Sequence, residues 1–187
     1  MTGPAAVCAG LRSRVEGQVV LPGDRGYDGA RQVWNAAVDR RPAAIVRPTD
    51  VADVQATVRF AAKHGLPVSV RGSGHHHAGH AAGDGAVMVD LSGWHRLNVD
   101  PSARTVTARP GVTWAELDQA TARFGLATTG ADVPAVGVAG TALGGGFGWL
   151  HRLHGLSCDT WSPGAWSLPP VRLRQTTRAA TLTGCGD

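Results

Sequence analysis

The sequence predicts a chain that mixes helices with parallel and antiparallel strands, and three observations carry this. Residues 44–70 read as strand, helix, strand, a unit whose connection favours parallel strands. Residues 96–108 read as an antiparallel hairpin turning at Asp100-Pro101-Ser102-Ala103. Two glycine-rich segments, 71–74 and 137–148, interrupt the regular elements where a binding function would sit.

Each element follows from its local pattern. Residues 1–29 read as loop, with Gly23-Asp24-Arg25-Gly26 as a turn signal. Asp28 can cap a short helix through Ala30 to Val38. Ala44-Ile45-Val46 is a short strand stopped by Arg47-Pro48. Thr49 or Asp50 then opens a helix in which Val51, Val54, Val58 and Ala61 recur at helical spacing, and Gly65 ends it. Val68–Val70 reads as a buried strand and Val87-Met88-Val89 as the next. Arg96–Val99 and Thr105–Ala108 form the arms of the hairpin. Thr113 caps a second helix carrying Trp114, Leu117, Ala120, Thr121 and Phe124, which Gly125 terminates.

Composition narrows the function classes. At 187 residues with 43% hydrophobic content, the chain suits one large domain or two small lobes. No apolar run approaches the roughly 20 residues needed to span a bilayer. Arg12 and Arg14 are followed by no apolar segment, which argues against a secretory signal. Three widely spaced cysteines, Cys8, Cys158 and Cys185, suit a reducing cytoplasm better than a disulfide framework. The net charge of +4 comes almost wholly from scattered arginines, and aromatics make up 5%. A nucleic-acid surface concentrates its basic residues and interleaves stacking rings, so no nucleic-acid partner is expected, nor a membrane.

The most informative stretch runs from Pro67 to His80: Pro-Val-Ser-Val-Arg-Gly-Ser-Gly-His-His-His-Ala-Gly-His. A strand delivers a glycine turn whose bare N–H groups can approach an anion. Arg71 adds a fixed cation suited to phosphate. An imidazole at the exit of a phosphate-cradling loop suggests a nucleotide cofactor, one that a histidine can hold covalently.

The second glycine segment, Gly137 to Gly148, is dominated by glycine and alanine, as expected where backbone approaches something flat. If it converges with the first, the two form opposite walls of one cofactor cleft. His151 and His154 read as a surface face at a helix end. Cys158 reads as a small buried residue, and Trp94, Trp114 and Trp149 as packing residues.

Taken together, Pro-Val-Ser-Val-Arg-Gly-Ser-Gly-His at 67–75, Gly-Val-Ala-Gly at 137–140, Gly-Gly-Gly-Phe-Gly-Trp-Leu at 144–150 and His-Gly-Leu-Ser-Cys-Asp at 154–159 resemble the PCMH-type FAD-binding domain of the vanillyl-alcohol oxidase superfamily. The bacterial berberine-bridge-enzyme-like, FAD-linked oxidases are the nearest group within it. The resemblance implies an α+β fold of two α/β lobes: a small parallel sheet beside a larger, mainly antiparallel one, incomplete at the C-terminus. It implies a lead-in over 1–40, the FAD-binding domain over 41–160, and an aberrant tail over 161–187.

It also implies a set of cofactor-binding residues. Arg71, Gly72, Ser73, Gly74, His75 and His80 would form the pyrophosphate loop. Gly137, Val138, Gly140, Thr141, Gly144, Gly145, Gly146 and Gly148 would line the isoalloxazine and ribityl side. His75 falls where relatives carry the flavin on its 8α-methyl carbon. Some relatives add a second link through a cysteine, but the matching position holds Val133, so the expectation is 8α-histidyl FAD through His75 alone. The implied activity is hydride transfer from a small-molecule substrate to flavin N5, with reoxidation by O2. The catalytic residues and the substrate are not legible here.

Two other readings compete. The chain can be a flavin-binding remnant without turnover. The histidines at 75–80 can bind metal, although consecutive side chains of an extended loop point to opposite sides and no acidic or cysteine partner is near, so no metal ligand is assigned. After Asp159 the family pattern stops at Thr160-Trp161-Ser162-Pro163, which predicts a reading-frame shift near codon 160 or a disordered tail.

Overall fold

The computed structural model describes residues 3–161, 179–181 and 183–184. The chain divides into two compact units, one containing residues 3–93 and the other 94–161. Most of the tail over 161–187, with the frame-shift expectation attached to it, lies outside the described residues.

The first unit is built on a four-stranded sheet. In chain order it contains α1 (Pro4–Cys8), a 3-10 turn (Ala9–Ser13), β1 (Gln18–Val20), α2 (Tyr27–Arg31), β2 (Ala44–Arg47), α3 (Val51–Lys63), β3 (Val68–Arg71) and β4 (Val87–Asp90). The sheet order is β1-β2-β4-β3, with β2, β4 and β3 mutually parallel and β1 antiparallel to β2. The predicted strand–helix–strand unit is therefore present, with β4 inserted between its two strands.

Both faces of this sheet are covered. Ala44, Val46 and Val87 pack with Cys8, Leu11, Phe60 and Ala61, while Ile45 and Met88 pack with Val20, Tyr27, Ala30 and Ala82. The alternation along each strand puts successive side chains into opposite cores. Asp50 caps α3, its carboxylate accepting the Asp53 N–H at 3.0 Å, and Gly65 ends the helix with φ of +62°.

Three expectations are corrected here. Residues 1–29 are not loop: they supply α1, β1 and α2, and they bury Cys8, Leu11, Val19, Val20 and Tyr27. The helix expected over 30–38 is replaced by α2, which stops at Arg31, and 32–43 run without regular structure. Finally, β3 is an edge strand, so Val68 and Val70 are exposed and Ser69 is the residue that turns inward.

The second unit contains β5 (Leu97–Asp100), β6 (Thr105–Ala108), α4 (Trp114–Ala122), β7 (Leu126–Ala127), α5 (Val138–Leu143), α6 (His151–His154), β8 (Ala179–Thr181) and β9 (Thr183–Gly184). The hairpin β5–β6 forms as expected and β6 also pairs antiparallel with β8, while β7 pairs antiparallel with β9. At the start of α4 the N–H and hydroxyl of Thr113 both donate to Glu116, at 2.7 and 2.8 Å. The core gathers Val106, Val112, Trp114, Leu117, Leu126 and Val138. Of the tryptophans expected to pack, Trp114 is buried and Trp94 half-buried, whereas Trp149 is exposed. No helix among the described residues is long and apolar enough to cross a membrane.

Candidate FAD site

The loop after β3 is fixed by a buried ion pair. Arg71 and Asp90 are register partners across the parallel β3–β4 pair. Arg71 Nε donates to Asp90 Oδ1 at 2.9 Å and Nη2 donates to Oδ2, while Nη1 donates to the carbonyls of Ala30 and Gln32 at 2.8 and 2.9 Å. Ser92 and Arg47 add further donors to the same carboxylate. Burial pushes the Asp90 carboxyl up, but the Arg71 and Ser92 hydrogen bonds outweigh it, leaving the group below its ordinary value.

The structure gives Arg71 a second role that the sequence did not show. Four of its five N–H groups are committed within the chain, so it braces the loop.

Beyond Arg71 the backbone turns at Gly74, with φ of +78°, and again at Gly79, with φ of +68°. Gly79 also makes room for Val38, whose Cγ1 lies 2.4 Å from where a Cβ would stand. A strap formed by residues 32–40 lies along this loop. Trp34 N–H donates to Gly74 O at 3.1 Å, Asn35 Nδ2 to His77 O at 2.7 Å, and the Arg40 guanidinium to the carbonyls of Ala78, Gly79 and Ala82. Those commitments explain why 32–38 leave the helix that their composition allows.

Within this frame the N–H groups of Gly72, Gly74, His75 and His76 donate to no protein acceptor among the described residues. Consecutive unsatisfied N–H groups around a positive-φ glycine form a concavity suited to an anion. His75 is half-buried at the exit of the turn, with Nδ1 at 3.2 Å from both the carbonyl and the hydroxyl of Ser73. The Trp34 indole stacks on its ring at 5.7 Å between centroids and 25° between planes. Sequence reasoning missed Trp34, because nothing local ties it to a loop 40 positions on.

The other histidines behave differently. His76 and His77 are exposed, as is His80, whose ring tilts against His76 at 4.4 Å. No group of three metal-binding side chains occurs among the described residues. His80 is thus placed by a contact inside the loop.

In the second unit the small-residue segment separates into two kinds of glycine. A Cβ on Gly146 would stand 2.4 Å from Ser157 Oγ, and one on Gly148 would stand 1.6 Å from Gly130 O. These positions are glycine because the chain packs against itself. Gly140 has nothing within 4 Å of its Cβ position, Gly144 meets only backbone at 3.4 Å, and Gly145, with φ of +100°, meets only Leu156 Cδ1 at 4.0 Å. Bare backbone is therefore available at Gly140, Gly144 and Gly145.

Two more expected contacts are spent internally. Val138 is in the core, and the Thr141 hydroxyl accepts from Trp114 Nε1 at 3.1 Å and donates to Gly137 O at 2.9 Å. Gly137 itself is buried and bridges to Thr113. Cys158, expected to be buried, is exposed. The second unit also has an open pocket of about 420 Å³ lined by Trp114, Thr121, Leu126, Gly130, Trp149 and Leu150 among others.

A parallel sheet carrying an anion-ready glycine turn and a half-buried imidazole defines a nucleotide-cofactor module. The chain belongs to the FAD binding domain family, which it matches over residues 42–162. It is similar to (R)-6-hydroxynicotine oxidase of Paenarthrobacter nicotinovorans, 35% identical over 145 residues that cover 78% of this chain and 32% of that one. Glucooligosaccharide oxidase of Sarocladium strictum is 37% identical over 75% of this chain and 28% of its own. Among solved structures, 6-hydroxy-D-nicotine oxidase of Arthrobacter nicotinovorans superposes with a TM-score of 0.76 at 35% identity, covering 79% of this chain and 32% of that one. BBE-like 1 of Physcomitrella patens superposes with a TM-score of 0.74 at 30% identity, over 83% and 34%.

The chain spans about a third of the length of these relatives. It is a partial FAD-binding domain of the vanillyl-alcohol oxidase and BBE-like family, whose members here are FAD-linked oxidoreductases.

Proposed function

We propose that this chain is the FAD-holding part of an oxidase that links its cofactor to His75. The observation that carries the reading is the half-buried imidazole at the exit of a turn in which the N–H groups of Gly72, Gly74, His75 and His76 donate to no protein acceptor among the described residues. The pyrophosphate of FAD suits that turn, where N–H dipoles stabilise negative charge without a paired cation. Gly140, Gly144 and Gly145 offer the close backbone approach that a flat ring requires.

Bound FAD would supply two-electron oxidation of a small-molecule substrate, taking a hydride at N5 and passing electrons to O2. His75 would contribute the lone pair of one ring nitrogen to a C–N bond with the 8α carbon. The balance is simple: one C–H hydrogen and the imidazole N–H hydrogen are lost, and O2 takes both with their electrons as hydrogen peroxide. Val133 at the second attachment position brings no nucleophile, so one link is expected.

Relatives of this chain act on nicotine-like and oligosaccharide substrates by name, so the substrate class proposed is a small alcohol, sugar or amine. A cytoplasmic location suits the sparse cysteines. The test is to incubate the full chain with FAD and precipitate it in acid. Flavin absorbance should stay with the pellet, and flavin wholly in the supernatant would refute the covalent reading.

A further inference from the structure

Trp34 lies on a segment without regular structure, yet the chain is tied down on both sides of it. Arg71 Nη1 donates to Gln32 O at 2.9 Å, the Trp34 N–H donates to Gly74 O at 3.1 Å, and Asn35 Nδ2 donates to His77 O at 2.7 Å. These ties set the indole over the His75 imidazole, with ring centroids 5.7 Å apart and planes 25° from parallel, and His77 stands perpendicular to it at 5.5 Å. The side chain is nevertheless 58% exposed. A single exposed apolar residue is ordinary in itself. This one is distinguished by its backbone, which is pinned to the loop that carries the candidate attachment residue. Asn35, Val38, Asp39 and Arg40 of the same strap are spent on contacts within the chain, whereas most of the indole stays open.

We propose that Trp34 is a cofactor-contacting residue: its open surface packs against the dimethylbenzene edge of the flavin that His75 carries. The inference rests on the covalent reading above and adds a contact that the reading does not require. A group bonded to a ring nitrogen of His75 leaves in the plane of an imidazole that the indole already overlies. The flavin methyl carbon therefore stands one bond from that stack. This is the apolar end of the flavin, with two methyl groups and no hydrogen-bonding atom, and the oxidised ring system is electron-poor. An electron-rich indole suits it on both counts, by covering apolar area and by aromatic attraction.

The experiment uses the full chain loaded with FAD, and the variant Trp34→Leu. In the parent, the protons of the flavin 7α methyl group, neighbour of the linked carbon, should show nuclear Overhauser contacts to indole ring protons. Those contacts should vanish in Trp34→Leu, which assigns them to Trp34 among the six tryptophans. The methyl resonance should also move in the variant as the ring current of the indole is lost. Because the indole is more than half exposed, its loss leaves the sheet intact, and circular dichroism checks this. The parent measurement stands even if the variant fails to fold. A parent chain that takes up no covalent flavin overturns the covalent reading and this inference with it. Covalent flavin whose methyl protons show no contact to an indole ring, or a contact that persists in Trp34→Leu, overturns this inference alone.

Discussion

Arg71 and Asp90 meet side by side across paired parallel strands, through two parallel hydrogen bonds onto a carboxylate that is 1% exposed. The pair closes the end of the sheet from which the glycine turn departs, and its remaining guanidinium donors hold the chain at the C-terminal end of α2. One arginine thus sets the position of the loop and of the strap that carries Trp34.

Breaking this pair should cost up to about 3–5 kcal/mol of stability, because the surviving buried charge loses its forked partner and keeps only Arg47 and Ser92, or two backbone carbonyls, around it. Arg71→Ala and Asp90→Ala should each lower the urea midpoint strongly. Arg71→Lys should recover little, since an ammonium cannot make the forked contact with the carboxylate while also reaching two carbonyls. An Arg71→Ala chain of parental stability would show that the pair is incidental.

Stability should fall in acid. Asp53 accepts from the N–H groups of Glu16, Gly17 and Thr49 and from the Thr49 hydroxyl, at 2.7 to 2.9 Å. Burial raises its pKa, yet those bonds win and hold it below the ordinary value, as they do for Asp90. A carboxylate depressed in the folded state contributes stability above its unfolded pKa. That contribution is lost as pH falls from about 5 through the folded value. The urea midpoint should therefore drop over that range, and Asp53→Asn should lower the midpoint at pH 7 while flattening the drop.

The glycines of the second unit should separate by substitution. Gly148→Ala forces a methyl onto Gly130 O, and Gly146→Ala forces one onto Ser157, so both variants should lose stability by about 1–3 kcal/mol or more. Gly140 lies in α5 with open space around it, so Gly140→Ala should leave thermal unfolding unchanged or slightly raised. On the proposed reading the same change weakens FAD binding, measured by fluorescence titration of the full chain.

Thr129 offers a control for these packing arguments. Among the described residues its buried hydroxyl has no hydrogen-bond partner, so Thr129→Val removes an unsatisfied polar atom and keeps the shape. The variant should match or exceed the parent in thermal unfolding, since replacing an unpaired buried hydroxyl is neutral or favourable.

How much of this was legible depended on distance along the chain. α3 and α4 show in the sequence because Val51, Val54, Val58 and Ala61, or Trp114, Leu117 and Thr121, fall on one face within one element. β1 does not, since Gln18–Val20 is a strand only by pairing with Ala44–Arg47, 29 to 25 positions on. The glycine turn and His75 were legible from chemistry and local spacing. The bracing role of Arg71 was hidden, because its partner is 19 positions away and charge alone cannot say that a cation faces aspartate. Likewise Gly146 and Gly148 look like Gly140 until Ser157 and Gly130 are folded against them.

The central claim is that His75 carries the cofactor, and the most direct measurement is a peptide mass map of the FAD-treated chain. Trypsin cleaves after Arg71 and next after Arg96, so residues 72–96 form one peptide. That peptide should appear with the added mass of FAD, fragment ions should place the adduct on His75, and His75→Ala should abolish it. Unmodified 72–96 in a chain that binds FAD, or an adduct that persists in His75→Ala, would contradict the account.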